Sequence, residues 1–360
     1  MTSGGSAVRR GYQPALDGLR AFAVLGVIGL HTETRWLPGG GIGVFIFFTL
    51  SGYLITHLLL LERERTHAVR LRAFYARRAL RLFPALAALI VATTVYALTH
   101  PGAAADTTLS AIPAVILYVG NWLAALGDPN ALGAFGHTWS LAVEEQFYLV
   151  WPLILLLAMR RGPRRLMQAA LVLAVLSALI RVPLWSAYGQ HRMGGTDAIA
   201  DQLLWGCALA AGLHAATPAA IDRVRQWLTW IGPLAMAYLA AVALLAHTAT
   251  GPTRPFWLAE LPAVGIASAA VIGWLVLRPG NPLARLLATR PLVALGKISY
   301  GVYLWHILVI VVVLPKLDLG RQPLRLLAVV VISTAVAAVS WLVIERPALR
   351  LKERRFAAAT

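Results

Sequence analysis

Several groups of polar residues stand inside apolar stretches of this 360-residue chain, and their types point to acid–base and phosphate chemistry. The first is LDGLRAFAVLGVIGLH, residues 16–31, where ten residues separate Arg20 from His31. On a helix rising about 1.5 Å per residue these two groups lie roughly 16 Å apart, half the thickness of a bilayer core. A fixed cation then sits near one membrane face and a titratable imidazole near the other. Ionisable groups in such segments are costly and turn toward internal, functional cavities. The plain alternative is an interfacial anchor at each end, with Asp17 paired to Arg20 one turn away.

The second group is HTWSLAVEEQFYLVWP, residues 137–152. Glu144 and Glu145 fall about six residues inside an apolar span and point about 100° apart, so they cannot share one role. Glu144, Tyr148 and Trp151 share a face. A buried carboxylate beside an imidazole orients the ring and supports general-base chemistry; the competing reading pairs one Glu with a structural arginine such as Arg181. The third is RRALRLFP, residues 77–84, where Arg78 and Arg81 are one turn apart. Two guanidiniums at that spacing can clamp phosphate oxygens, and a plain basic flank or a lipid-headgroup contact is the alternative. The fourth is ISYGVYLWHILVI, residues 298–310, with His306 midway along a span and Tyr303 one turn below it. A lone core histidine is the ordinary explanation, but Lys297, Ser299 and Tyr300 beneath it suggest a wetted passage. Asp201 and Gln202 give a weaker signal for the same cavity. No H-E-x-x-H, Walker-type glycine loop or G-x-S-x-G is present.

The elements that must position these residues are membrane helices. The chain is 59% hydrophobic and 13% charged, with a mean hydropathy of +0.71, which excludes an ordinary soluble domain. Runs of about 20 apolar residues occur near 15–33, 43–61, 82–99, 138–159, 166–185, 199–216, 227–247, 258–277, 292–314 and 324–344. The first lacks a small-residue cleavage site and reads as an uncleaved span. A shorter apolar run, 109–125, reads as a re-entrant or surface-lying element. Leaving it out of the count places 23 of the 32 basic residues on one side and only five on the other, which fixes both termini in the cytoplasm by the positive-inside rule. The expectation is an all-α polytopic membrane protein with ten transmembrane helices plus one re-entrant or peripheral helix. A cytoplasmic tail (1–14) precedes the transmembrane domain (15–345), and a second tail (346–360) follows it. The link 62–81 reads as an amphipathic basic helix entering the third span. The net charge of +17 is thus a topology signal, and no basic stripe with interleaved aromatics supports nucleic-acid binding. Cys207 is the only cysteine, so neither a disulfide nor a thiolate-rich metal site is expected.

Five of these strings together, LDGLRAFAVLGVIGLH, GVFIFFTLSGYLIT, FYARRALRLFP, TWSLAVEEQFYLVWP and ISYGVYLWH, resemble the membrane acyltransferase-3 family of bacterial O-acyltransferases. The resemblance covers most of the chain. It implies a multi-pass enzyme of the bacterial cytoplasmic membrane that moves an acyl group, commonly acetyl, from cytoplasmic acyl-CoA to a hydroxyl of a glycan or glycosylated small molecule. Acyl-CoA is then a co-substrate, and no bound cofactor or metal is expected. By the same resemblance His31 is the catalytic histidine, Arg20 its motif partner, and Arg78 and Arg81 the CoA-side contacts. Glu144 is the acidic position to trust, and Glu145 the more variable neighbour. Phe45 stands where many members carry a polar or acidic residue. His306 is followed by Ile-Leu-Val, not Trp-Pro. The chain stops without the extracytoplasmic SGNH-type domain that some members append, so acceptor handling is expected in the bundle or through a partner.

The expected mechanism has His31, assisted by Glu144, deprotonating an acceptor hydroxyl, with Arg20, Arg78 and Arg81 on the donor. Asp17, Glu145, Tyr148, Tyr303 and His306 are candidates for the acceptor side and cavity wall. The competing class is a transporter or channel that uses the same ionisable groups as a path; paired, broken half-helices at matching positions, its usual mark, are not evident.

Overall fold

The computed structural model describes residues 11–32, 37–246, 253–317 and 319–350. Most of both expected tails, 1–10 and 351–360, lies outside the described residues. Among the described residues every regular element is helical. In chain order α1 is Pro14–His31, α2 Ile42–Thr66, α3 Leu71–Thr99, α4 Ala103–Ser110, α5 Ile112–Ile116, α6 Gly120–Leu126, α7 Trp139–Met159 and α8 Pro163–Tyr188. Then come α9 Thr196–Ala215, α10 Pro218–Leu245, α11 Leu261–Leu277, α12 Pro282–Leu287, α13 Arg290–Lys297, α14 Ser299–Val312 and α15 Gln322–Ser340.

Nine helical segments among the described residues are long and apolar enough to cross a membrane. The tenth expected span, near 199–216, is α9, a 20-residue helix. Asp197, Asp201 and Gln202 in its first turns dilute its apolar run, so by composition nine qualify where ten were expected. This helix is nonetheless packed between α2 and α8, with none of its residues exposed. Small residues make the α2–α9 contact possible: a Cβ on Gly52 would lie 1.9 Å from the Leu203 carbonyl oxygen, and one on Gly206 1.9 Å from that of Thr49. Backbones this close exchange dense dispersion contacts. Gly206→Leu is therefore expected to part the two helices and lower the melting temperature of the detergent-extracted protein by several degrees, read by a thermal-shift assay.

The expected span near 292–314 begins later, at Ser299. Ile298, at φ −102° and ψ 8°, interrupts the helix and separates the amphipathic α13 from α14. Gly296 is wedged against the start of α1, where a Cβ would meet the Asp17 carbonyl oxygen at 1.8 Å. The basic link 62–81 is likewise two pieces. His67, at φ 56°, ends α2, and α3 starts at Leu71, so Arg77, Arg78 and Arg81 ride on its first three turns.

The run 109–125 forms α4, α5 and α6, with a bend at Tyr118, whose φ is 53°. Gln146 binds this bend: its amide nitrogen donates to the Tyr118 carbonyl at 2.7 Å and to Asn121 at 2.9 Å. Its amide oxygen accepts from Trp122 at 2.8 Å and Thr196 at 2.6 Å. Gln146 is seven residues into α7, about 10 Å along the helix, so the segment is tied to α7 two turns in from its start. Irregular backbone packed in this way needs polar partners inside the protein, and here the Gln146 amide supplies them. Leu98, Leu149, Leu157, Leu179 and Leu234 point outward, as lipid-facing side chains do.

Candidate active site

A cavity of about 180 Å³ runs between α1, α2, α3, α7 and α14. Along α2 it is lined from Val44 to Leu58, fourteen residues and thus about 21 Å of helix. The cavity is therefore long and narrow, extending along most of α2. The α2 wall is apolar apart from Ser51 (Phe47, Phe48, Leu54, Ile55), whereas the opposite wall is mostly polar, with Ser140, Glu144 and Tyr148 of α7 and Ser299, Tyr300 and Tyr303 of α14. The α7 side chains share one face because 140, 144 and 148 repeat every four residues.

Arg20, Arg78 and Arg81 all line the cavity at one end. Their states differ. Arg78 is committed: Nε and Nη2 reach Glu145 Oε1 at 3.0 and 2.7 Å, and its guanidinium carbon lies 3.2 Å from the Tyr148 ring centre. Arg20 and Arg81 make no hydrogen bond or ion pair to another described residue, although Arg20 lies within the electrostatic reach of Arg81, Asp17 and Glu144, and Arg81 within that of Glu345. Two guanidiniums facing one passage without a direct carboxylate partner are suited to a multiply charged anion.

Glu144 does not meet His31. Its carboxylate is engaged by the Ser51 hydroxyl and, at 3.4 Å, by that of Tyr148. This corrects the expected pairing: on α7 the Glu144 face looks into the arginine-bearing cavity. Glu145 is not in the cavity wall either, because the ion pair with Arg78 holds it. Asp17 also stays outside the passage, accepting a 2.5 Å hydrogen bond from the Tyr12 hydroxyl, so neither acid serves as cavity lining. Asp201 and Gln202 belong to a separate, fully buried network. Arg181 pairs with Asp201 and donates to the Trp257 carbonyl at 2.8 Å, and Gln202 donates to Asp201 at 2.9 Å. The structural partner of Arg181 is therefore an aspartate and not a member of the Glu pair.

At its other end the cavity closes on a hydroxyl layer. Ser140 and Tyr303 hydroxyls are 2.7 Å apart, and Tyr303 also donates to the His137 carbonyl at 2.7 Å. Directly beyond lies a cluster of three imidazoles. His31 Nδ1 is 3.0 Å from His306 Nε2, and the His137 ring centre is 5.3 Å from that of His306. His137 Nε2 donates to the Leu304 carbonyl at 3.0 Å, leaving its Nδ1 buried without a partner among the described residues. His31 is half-buried, and His306 is fully buried. From Tyr303 to His306 is three residues, about 4.5 Å of rise. The structure thus brings His31, Tyr303 and His306 together, and gathers Arg20, Arg78, Arg81, Glu144 and Tyr148 at the opposite end. His137 was not singled out by sequence; its only signal was its place at the head of the acidic string, seven residues before Glu144. Ser140, one turn before Glu144, was missed for the same reason.

The family described as "Acyltransferase domain" matches residues 13–345. Peptidoglycan O-acetyltransferase OatA of Listeria monocytogenes is 33% identical over 357 residues, covering 94% of this chain and 56% of that protein. O-acetyltransferase OatA of Staphylococcus aureus is 32% identical over 358 residues, 96% of this chain and 58% of that protein. The chain therefore spans somewhat more than half the length of these relatives. No solved structure matches it. A match from the start of α1 to the end of the last span takes in every residue of the cavity and the imidazole cluster, and the chain belongs to this acyltransferase family.

Proposed function

We propose that the protein is an integral-membrane O-acyltransferase that carries an acyl group, acetyl as in the names of its relatives, from acyl-CoA to a hydroxyl of a glycan or glycosylated small molecule. The observation that carries this reading is the elongated cavity, with Arg20 and Arg81 at one end and the His31–His306 pair just past the other. In this reading Arg20 and Arg81 hold the nucleotide phosphates, with Arg78 braced beside them by Glu145. The arginine-bearing end faces the cytoplasm of a bacterial inner membrane, the side the basic links favour, and both termini lie there.

The pantetheine arm then follows the cavity, its amide N–H groups meeting Glu144 and Tyr148, and its thioester reaches the Ser140–Tyr303 layer. His31 Nε2 takes the proton of the acceptor hydroxyl, whose oxygen attacks the thioester carbonyl. The C–S bond breaks, and the proton passes from His31 to the departing thiolate. Glu144 acts here on the donor arm and not on the imidazole. The family match and the O-acetyltransferase names of its relatives favour this reading over a transporter.

The test supplies acyl-CoA with a labelled acyl group to the arginine-rich face of sealed membranes and follows the label into ester. Label confined to CoA and hydrolysed acid would overturn the reading. In the same assay Arg81→Ala is expected to raise the acyl-CoA KM about tenfold, one charge-assisted contact, with a smaller change in kcat. A fall in kcat alone would place Arg81 outside the donor site.

A further inference from the structure

His306 was expected to touch substrate. The hydrogen bonds around it give it a different task. Its Nδ1 lies 2.5 Å from the Tyr303 carbonyl oxygen, and a carbonyl can only accept, so Nδ1 carries the ring proton. In the neutral ring Nε2 is then a lone pair. His31 Nδ1, 3.0 Å away, must be the donor of that contact, which leaves the basic lone pair of His31 on Nε2. The Val27 carbonyl, one turn earlier on α1, is a further acceptor for the His31 ring, in keeping with a proton on the nitrogen that faces the protein.

We infer that His306 is the positioning residue of the site: it fixes His31 in the Nδ1–H tautomer and aims Nε2 as the base. The arrangement does for two imidazoles what a carboxylate does for the histidine of a hydrolase triad, holding tautomer and orientation without itself exchanging protons with substrate. An acceptor of this kind suits a buried site, because a lone carboxylate there would need a cationic partner. The supports are themselves fixed. His306 is fully buried, and its Nδ1 bond is to a carbonyl of its own helix. The His137 ring packs edge-on against it, with centres 5.3 Å apart, and is pinned through Leu304, the next carbonyl along. The ring of His306 therefore has little freedom to turn over and offer a proton to His31 in place of a lone pair.

This inference rests on the proposed role of His31 for its kinetic arm only. In full-length protein reconstituted in lipid, ring ¹⁵N magnetic resonance assigned by comparison with His31→Asn reads the tautomer directly. A protonated Nδ1 and bare Nε2 on His31 are expected, and the Nε2–H tautomer would overturn the inference. In acyl transfer, His306→Phe is expected to lower kcat about 10²-fold with the acyl-CoA KM unchanged. His306→Gln, whose side-chain oxygen can accept from His31, should recover about a tenth of wild-type kcat. Equal loss in both variants with normal folding, or a rise in KM alone, would assign His306 to packing or to donor binding. An inactive His31→Ala beside a fully active His306→Phe would sink this inference while sparing the proposed reaction. An active His31→Ala would sink the reaction and leave the resonance result to stand on its own.

Discussion

His31→Ala is expected to slow acyl transfer in isolated membranes by about 10²- to 10⁴-fold, the worth of a positioned general base, with normal protein levels. The fold should tolerate the change because His31 is only half-buried at the end of α1. Its partner His306 would lose a donor to Nε2 and keep its own Nδ1 bond to Tyr303. An unmet acceptor lone pair costs less than a stranded charge. The effect should therefore appear in turnover and not in the quantity of extracted protein. Turnover near wild type would remove His31 from the chemistry.

The opposite division of effects is expected at Arg181. Arg181 and Asp201 are both fully buried and share one ion pair. Arg181→Ala strands the Asp201 carboxylate between α8 and α9, with only the side-chain and backbone amides of Gln202 near it. Breaking a buried pair from one side costs about 3–5 kcal/mol, comparable with the low end of a domain's whole stability. Little monodisperse protein should survive detergent extraction and gel filtration. Arg181→Met combined with Asp201→Leu removes both charges, and recovery of the folded peak is expected because a matched apolar pair can replace an ion pair at little cost. Extraction of the single variant at wild-type yield and melting temperature would show that the pair contributes nothing.

How much of this was legible in the sequence follows from what a helical pattern encodes. Spacing along one helix gives depth, so the separation of Arg20 and His31 along α1, and the placement of Arg78 and Arg81 on one cavity end, were readable from the chain. Azimuth relative to other helices is not encoded locally. His31 and His306 are 275 residues apart, and nothing in either stretch says that their rings meet. The adjacent pair Glu144 and Glu145 shows the same limit. That the two must face differently follows from a 100° step, but only the packing of α3 against α7 shows that Arg78 captures Glu145. The helix break at Ile298 escaped notice because an uninterrupted apolar run looks the same whether or not a glycine two residues earlier is jammed against α1. The element at 109–125 was visible as a run too short to span. The side chain that holds it, Gln146, looked like one more polar residue beside two acids.

The layer formed by Ser140, Tyr303 and the His137 carbonyl has a consequence for the membrane itself. A catalyst fed from one compartment and discharging into another risks short-circuiting the potential between them, worth about 2.3 kcal/mol per elementary charge per 100 mV. Here the Tyr303 hydroxyl donates to the His137 carbonyl at 2.7 Å and lies 2.7 Å from that of Ser140, so the layer is held together by its own hydrogen bonds. In the proposed reaction only an uncharged acyl group crosses this layer, and a layer held shut in this way would keep the bilayer insulating while the enzyme works.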